Sequence, residues 1–160
     1  MSDYIPNPFN ANIHGDLRIA IIKAEWNSHI TYELAAGCKE RLIEIGVAEE
    51  GIDTFAVPGT IELTFAASQL IESGLYDAIV AHGCVIRGET PHFDYVCQSV
   101  TQGITSLNAD CDIPVIFGVL TVDSEQQALD RIGGKHGHKG LEAADAAVKM
   151  AMFSRAARDL

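Results

Sequence analysis

Four times along this chain, a short apolar run is followed by a segment whose apolar residues recur at helical spacing. The first run, Leu17 to Ala24, is interrupted only by Arg18 and Lys23, and Ile30, Leu34, Cys38, Leu42 and Ile45 follow until Gly46 closes the helix. Ile52 to Val57 is the second run. Pro58-Gly59-Thr60 then turns the chain into a helix from about Ile61 to Ser73, ending at Gly74. Tyr76 to Arg87 holds the third run, and the helix after His92 directs Phe93, Val96, Val100, Ile104 and Leu107 inward. Ile113 to Val122 is the fourth, after which Asp123 or Ser124 caps a short helix containing Leu129 and Ile132. A Gly-rich loop, Gly133 to Gly140, leads to a last helix from about Leu141 to Ala157. The first run does not alternate apolar with polar, so it predicts a strand buried on both faces. Strand and helix in alternation predict a parallel sheet with helices on both sides, joined by right-handed crossovers. The class is α/β, with one domain over residues 17–160 and an extended polar arm over residues 1–16 that carries Pro6 and Pro8.

Open sheets of this kind bind ligands outside the carboxyl ends of their strands. Trp26, the segment Pro58 to Glu62, the segment Cys84 to His92, and Phe117 are expected there. The stretch from Val80 to Val96 is the most informative of these. It leaves an apolar strand, breaks at Gly88 and restarts as a helix, with Thr90 as N-cap and Pro91 at the first helical position. A helix start carries free N–H groups and partial positive charge, which suit an anion such as phosphate. Glu89 and Thr90 can offer backbone donors; Pro91 cannot. His92 stands in the first turn beside them, where the positive helix end favours a neutral imidazole that can pass protons near neutral pH.

Composition narrows the partners. The formal charge is −11, which argues against nucleic acid and anionic membranes, and any bound phosphate must then rely on a few local cations. No segment reads as a transmembrane helix or a signal peptide. Cys38, Cys84, Cys97 and Cys111 show no paired spacing and fall at apolar positions, so they read as buried thiols in a reducing cytoplasm.

Other side chains fit the same kind of site. Trp26, the sole tryptophan, either covers a core edge or stacks on a flat heterocycle. Glu62 is either a helix-dipole partner or an acceptor for a polyol. Arg131 is either a solvated charge or a two-pronged phosphate clamp. Lys139 sits among glycines, where the backbone can approach a ligand. His136 and His138 lack a third ligand at suitable spacing, which argues against zinc. The Gly-rich loop matches neither the phosphate-loop nor the dinucleotide pattern, and no serine or cysteine has nucleophile-elbow surroundings.

Taken together, the motifs resemble the lumazine synthase family of riboflavin biosynthesis. The resemblance rests on Trp26-Asn27, on Val57-Pro58-Gly59-Thr60-Ile61-Glu62, and on the segment from Gly83 to Val96. Pro114-Val115-Ile116-Phe117-Gly118, Arg131 and the loop from Gly133 to Gly140 complete it. It implies a flavodoxin-like three-layer sandwich with a four-stranded parallel sheet. It also implies a cofactor-independent and metal-independent condensation of 5-amino-6-(D-ribitylamino)uracil with 3,4-dihydroxy-2-butanone 4-phosphate, giving 6,7-dimethyl-8-ribityllumazine and phosphate.

By the same resemblance, Trp26 stacks on the pyrimidine, with Asn27 beside it. Thr60, Ile61, Glu62 and the backbone of Cys84, Val85 and Ile86 hold the uracil and ribityl chain, while Glu89, Thr90 and Arg131 hold the phosphate. His92 moves protons, Phe117 closes over the pyrimidine, and Lys139 lies near the reacting centre. Phe117, Arg131 and Lys139 come from a neighbouring subunit of a homo-pentamer. The short Gly-rich loop resembles that of members that form sixty-subunit icosahedra, and riboflavin synthase is a further candidate partner. Three positions depart from the family pattern. Pro91 removes an N–H beside the phosphate, Ile61 lacks the aromatic ring many relatives show, and His138 stands where many carry Asn. Two other classes compete with the enzyme: a non-enzymatic flavin- or lumazine-binding module on the same scaffold, and a shell protein whose function is assembly.

Overall fold

The computed structural model describes residues 14–160, so the part of the predicted arm before His14 lies outside the described residues. Four parallel strands form the main sheet: β1 (Ile19–Ala24), β2 (Ile52–Val57), β3 (Ala78–Ile86) and β4 (Val115–Val122). Their order is β2-β1-β3-β4. Between them run α1 (Ser28–Glu44), α2 (Glu62–Ser73) and α3 (His92–Asp110), followed by α4 (Glu125–Leu129), β5 (Ile132–Gly134), β6 (Gly137–His138) and α5 (Lys139–Arg158). This is the flavodoxin-like α/β arrangement the strand–helix alternation and the family resemblance implied.

The unbroken apolar runs have a direct structural reason. Ile19 and Ile21 of β1 join a core with Cys38 and Leu42 of α1 and Ala144 and Val148 of α5. Ala20 and Ile22, pointing the other way, join Leu63 and Ala67 of α2 and Val96, Val100 and Ile104 of α3. Both faces of the sheet are thus covered, and successive residues must all be apolar. A smaller cluster of Ile30, Leu34, Cys84, Leu120, Val122 and Ala128 closes the carboxyl end of the sheet. A buried ion pair, Arg41 Nε to Asp145 Oδ1 at 2.7 Å, ties α1 to α5.

Four expectations need correction. Ile132 belongs not to the short helix but to β5, because the predicted Gly-rich loop is an antiparallel hairpin of β5 and β6. Gly133 (φ 105°) and Gly137 (φ 75°) supply left-handed backbone that a side chain would strain. Regular α3 begins at His92, one residue late. Pro91 is nonetheless helical in φ and ψ, its carbonyl accepts from Asp94 N, and Thr90 Oγ1 accepts from His92 N at 3.4 Å. Cys97 and Cys111 are half-buried, unlike Cys38 and Cys84, because they lie at the margin of the α3 core stripe. Phe117 is not at the carboxyl end of β4; the register pairs it with Ala81, near the start of the strand.

Candidate active site

The strand order reverses between β1 and β3, so the segments leaving these two strands diverge and open a crevice. Pairing of β1 with β3 stops at Lys23 and His82, whereas β3 continues to Ile86 against β4. Backbone groups of Gly83 to Ile86 on the β1 side therefore have no strand beside them. Asn27 takes one of these groups: its Nδ2 donates to the Cys84 carbonyl at 2.9 Å. Asn27 itself has left-handed backbone (φ 61°), tolerated by Asn better than by most residues, and its carbonyl accepts from Ile30 N and Thr31 N in the first turn of α1.

Trp26 is set on the crevice rim by its backbone N–H, which donates to the Pro58 carbonyl at 3.0 Å. The indole is 68% exposed. Its flank rests on Gly59, where any Cβ would collide with the ring and force it to shift. The resulting cleft, of about 330 Å³, is lined by Trp26, Asn27, Thr60, Ile61, Glu62, Cys84, Val85, Ile86, His92 and Val96. Glu62 Oε2 is buried beside Gly59 with no hydrogen-bond partner among the described residues, which leaves a carboxylate oxygen ready to accept from a ligand hydroxyl or N–H. His92 is exposed at the start of α3. Burial, with the Glu125 carboxylate adding to it, pushes the Cys84 thiol up to about 11, so it is no thiolate nucleophile at neutral pH.

A second cleft, of about 480 Å³, runs along β4 and α5 on another side of the subunit. Phe117, Arg131 and Lys139 line it, with Glu142. The β5–β6 hairpin makes this group: Lys139 N donates to the Arg131 carbonyl at 2.9 Å, so closing the hairpin sets the two cations side by side. Arg131 Nη1 donates to the Gln127 carbonyl at 2.7 Å, and Lys139 Nζ pairs with Glu142 at 2.9 Å. Glu142 escaped the sequence reading, although its three-residue spacing from Lys139 on a helix was a usable signal. His138 also has a structural task, since its Nδ1 accepts from Gly140 N at 3.1 Å and caps α5. Burial lowers its pKa, against the opposing pull of Glu33 and Glu40.

Of the thirteen other residues named from sequence around His92, the first cleft gathers Trp26, Asn27, Thr60, Ile61, Glu62, Cys84, Val85 and Ile86. Phe117, Arg131 and Lys139 line the second cleft, while Glu89 and Thr90 stand on the exposed turn ahead of α3 and line neither.

Residues 16–155 match the family described as 6,7-dimethyl-8-ribityllumazine synthase. The chain belongs to that family. It is 56% identical over 140 residues to the 6,7-dimethyl-8-ribityllumazine synthase of Porphyromonas gingivalis, covering 88% of this chain and 87% of that one. Identity to the Parabacteroides distasonis protein of the same name is 53% over 139 residues, 87% of each chain. For the Phocaeicola vulgatus protein, again of that name, it is 48% over 157 residues, 96% of this chain and 90% of the other. Among the described residues, no helix is long and apolar enough to cross a membrane.

Proposed function

We propose that this chain condenses 5-amino-6-(D-ribitylamino)uracil with 3,4-dihydroxy-2-butanone 4-phosphate, releasing 6,7-dimethyl-8-ribityllumazine and phosphate, in the penultimate step of riboflavin biosynthesis. The observation that carries this reading is the content of the first cleft: a flat aromatic rim at Trp26, an edge of β3 at Cys84 to Ile86 with no strand beside it and its Cys84 carbonyl held by Asn27, a Glu62 oxygen without a partner among the described residues, and His92, all at the strand-order reversal. A pyrimidine with donors and acceptors on its edge is the shape of ligand that pairs with such a backbone edge while stacking on an indole. Glu62 accepts from the ribityl hydroxyls, and Thr60, Ile61 and Asn27 complete the walls. Family membership supports the same assignment.

The first cleft contains no lysine or arginine, yet the second substrate is a phosphate ester. The cations stand in the second cleft, so the complete site forms where the second cleft of one subunit faces the first cleft of its neighbour. Arg131 then joins the Glu89–Thr90 turn at the phosphate, Lys139 stands near the reacting carbons, and Phe117 closes over the ring. Repetition of this head-to-tail contact closes a ring, here a homo-pentamer. Twelve such rings make a sixty-subunit icosahedron, the assembly we favour, and riboflavin synthase is a candidate partner for it. Residues 17–160 act as one domain, with residues 1–16 as an arm.

The chemistry asks for few functional groups. The pyrimidine amine attacks the ketone and water leaves to form an imine; phosphate is then eliminated to leave an enol that becomes a ketone, the ribitylamino nitrogen attacks that carbon, and a second water leaves as the ring closes. Each step moves protons, which the His92 imidazole takes and returns. No metal or organic cofactor takes part. Holding two substrates in register supplies much of the remainder, up to ~7–11 kcal/mol in the best intramolecular analogues. A cytoplasmic location agrees with four free cysteines.

Mixing the purified protein with both substrates and following lumazine fluorescence together with phosphate release tests the reaction. A protein that binds the pyrimidine but yields no product is a binding module instead. Size-exclusion chromatography with light scattering tests the assembly; a stable, active monomer would rule out a shared site.

A further inference from the structure

Arg87 lies between β3 and the exposed turn before α3, and no role has so far been given to it. Its backbone N–H donates to the Val122 carbonyl at 2.9 Å, continuing the β3–β4 ladder by one residue. Its side chain then reaches out in two directions. Nε donates to Asp123 Oδ1 at 2.8 Å, just past β4. Nη1 lies 3.5 Å from Asp94 Oδ1 in the first turn of α3, and the guanidinium carbon sits 4.3 Å over the Phe93 ring. One planar group thus spans from the end of β4 to the residues directly after His92.

The turn it brackets has little else to hold it. Gly88, Glu89, Thr90 and Pro91 are all exposed. A Cβ built on Gly88 would meet nothing within 4 Å, so no side chain packs over that backbone. Within the turn, Thr90 Oγ1 accepts a long hydrogen bond from His92 N, at 3.4 Å. The position of the α3 start relative to the sheet therefore depends on contacts outside the turn, and Arg87 supplies an ion-pair and ring contact to it from the strand side.

We infer that Arg87 is a positioning residue: by clasping Asp123, Asp94 and Phe93 it sets where His92 and the Glu89–Thr90 turn stand over the cleft. It touches neither substrate. A guanidinium is suited to the task because its rigid fork and flat face act together, which an ammonium cannot reproduce. Both ion pairs are exposed, with Arg87 50% accessible, so their contribution to folding stability is small. Their effect is on geometry, and a misplacement of ångström size can cost an enzyme heavily.

The inference rests on the proposed reaction, and the test separates the two. Arg87→Gln and Arg87→Lys should both raise KM for the butanone phosphate about 10-fold and lower kcat several-fold. Pyrimidine binding, read by quenching of the sole tryptophan, Trp26, should stay unchanged, and Tm should move by no more than about 2 °C. Amide hydrogen exchange at residues 89–95 should quicken about 10-fold in both variants while the rest of α3 keeps its protection. Should either variant fail to fold, Asp123→Asn cuts the shortest contact from the other side and should produce the same local exchange. Unchanged exchange at 89–95 would overturn the inference. So would faster exchange with unaltered KM, or a loss of pyrimidine binding in parallel with KM. A wild-type protein that makes no lumazine would instead sink the reading of the reaction, and the exchange measurement would still decide whether Arg87 holds the turn.

Discussion

The two clefts divide the functional groups between them. The one at the carboxyl ends of β1 and β3 has the aromatic rim, the acceptor and the imidazole, but no cation. The one along β4 and α5 has Arg131 and Lys139, but no imidazole. The first rests on strands buried on both faces, so its floor is fixed by the core. The second lies along an edge strand, where β4 has a neighbour on one side only and Phe117 remains exposed. On the proposed reading, each cleft holds only half a reaction centre, and what one lacks the other carries, so a second copy of the chain is the source the proposal calls for.

The largest effect is expected at the imidazole. His92→Ala should lower kcat by roughly 10²–10⁴-fold at most, with pyrimidine affinity nearly intact because Trp26 and the β3 edge hold the ring. A collapse of pyrimidine affinity would make His92 a structural part of the first cleft. Isothermal titration beside steady-state kinetics distinguishes the outcomes.

The strands beneath the clefts are joined by His82, whose Nδ1 lies 3.2 Å from the Gly118 carbonyl of β4. Burial brings its pKa down to about 4 from 6.5; the Gly118 carbonyl opposes this, and His138 adds to it. The folded chain thus refuses a proton that the unfolded chain accepts. Its stability should fall as pH drops from 6.5 to about 4, by roughly 3 kcal/mol from this group alone. Urea unfolding across that range should show the loss, and His82→Gln should flatten it. An equal slope in the variant would assign the acid sensitivity elsewhere.

Arg131→Ala comes next. Loss of a charged hydrogen bond of roughly 1.5–3 kcal/mol should raise KM for the butanone phosphate by about 10–100-fold, with much less change for the pyrimidine. Equal changes for both substrates would move Arg131 away from the phosphate. The finest test rebuilds the site from two broken chains. Co-expressed His92→Ala and Arg131→Ala subunits should assemble at random, and about a quarter of interfaces would then join an intact His92 to an intact Arg131. Mixed assemblies, verified by mass spectrometry, should exceed either single mutant; if they do not, both residues serve a site within one subunit.

Much of this was legible in the amino-acid order. Strand and helix alternation, the limits of β2 and the inward stripe of Val96, Val100 and Ile104 all followed from local periodicity. Local patterns register burial well because a strand or helix face is written within a few residues. The residues that line the first cleft were legible too, since they sit at strand ends that the alternation itself locates, whereas Phe117, Arg131 and Lys139 do not, and only the family motifs singled them out. Several things were not legible. The hairpin of β5 and β6 is set by a two-residue strand and left-handed glycines, too short to carry a period. Glu62 losing a partner, Asn27 capturing the Cys84 carbonyl and Arg87 bridging to Asp123 are contacts between distant segments. The amino-acid sequence by itself determined which residues turn inward and which segments leave the ends of β1, β2 and β3. Only the tertiary structure decided that Trp26 and His92 share one cleft while Arg131 and Lys139 stand in another. The strand order and register that separate them are set by packing across the whole sheet, and no neighbouring residues encode that.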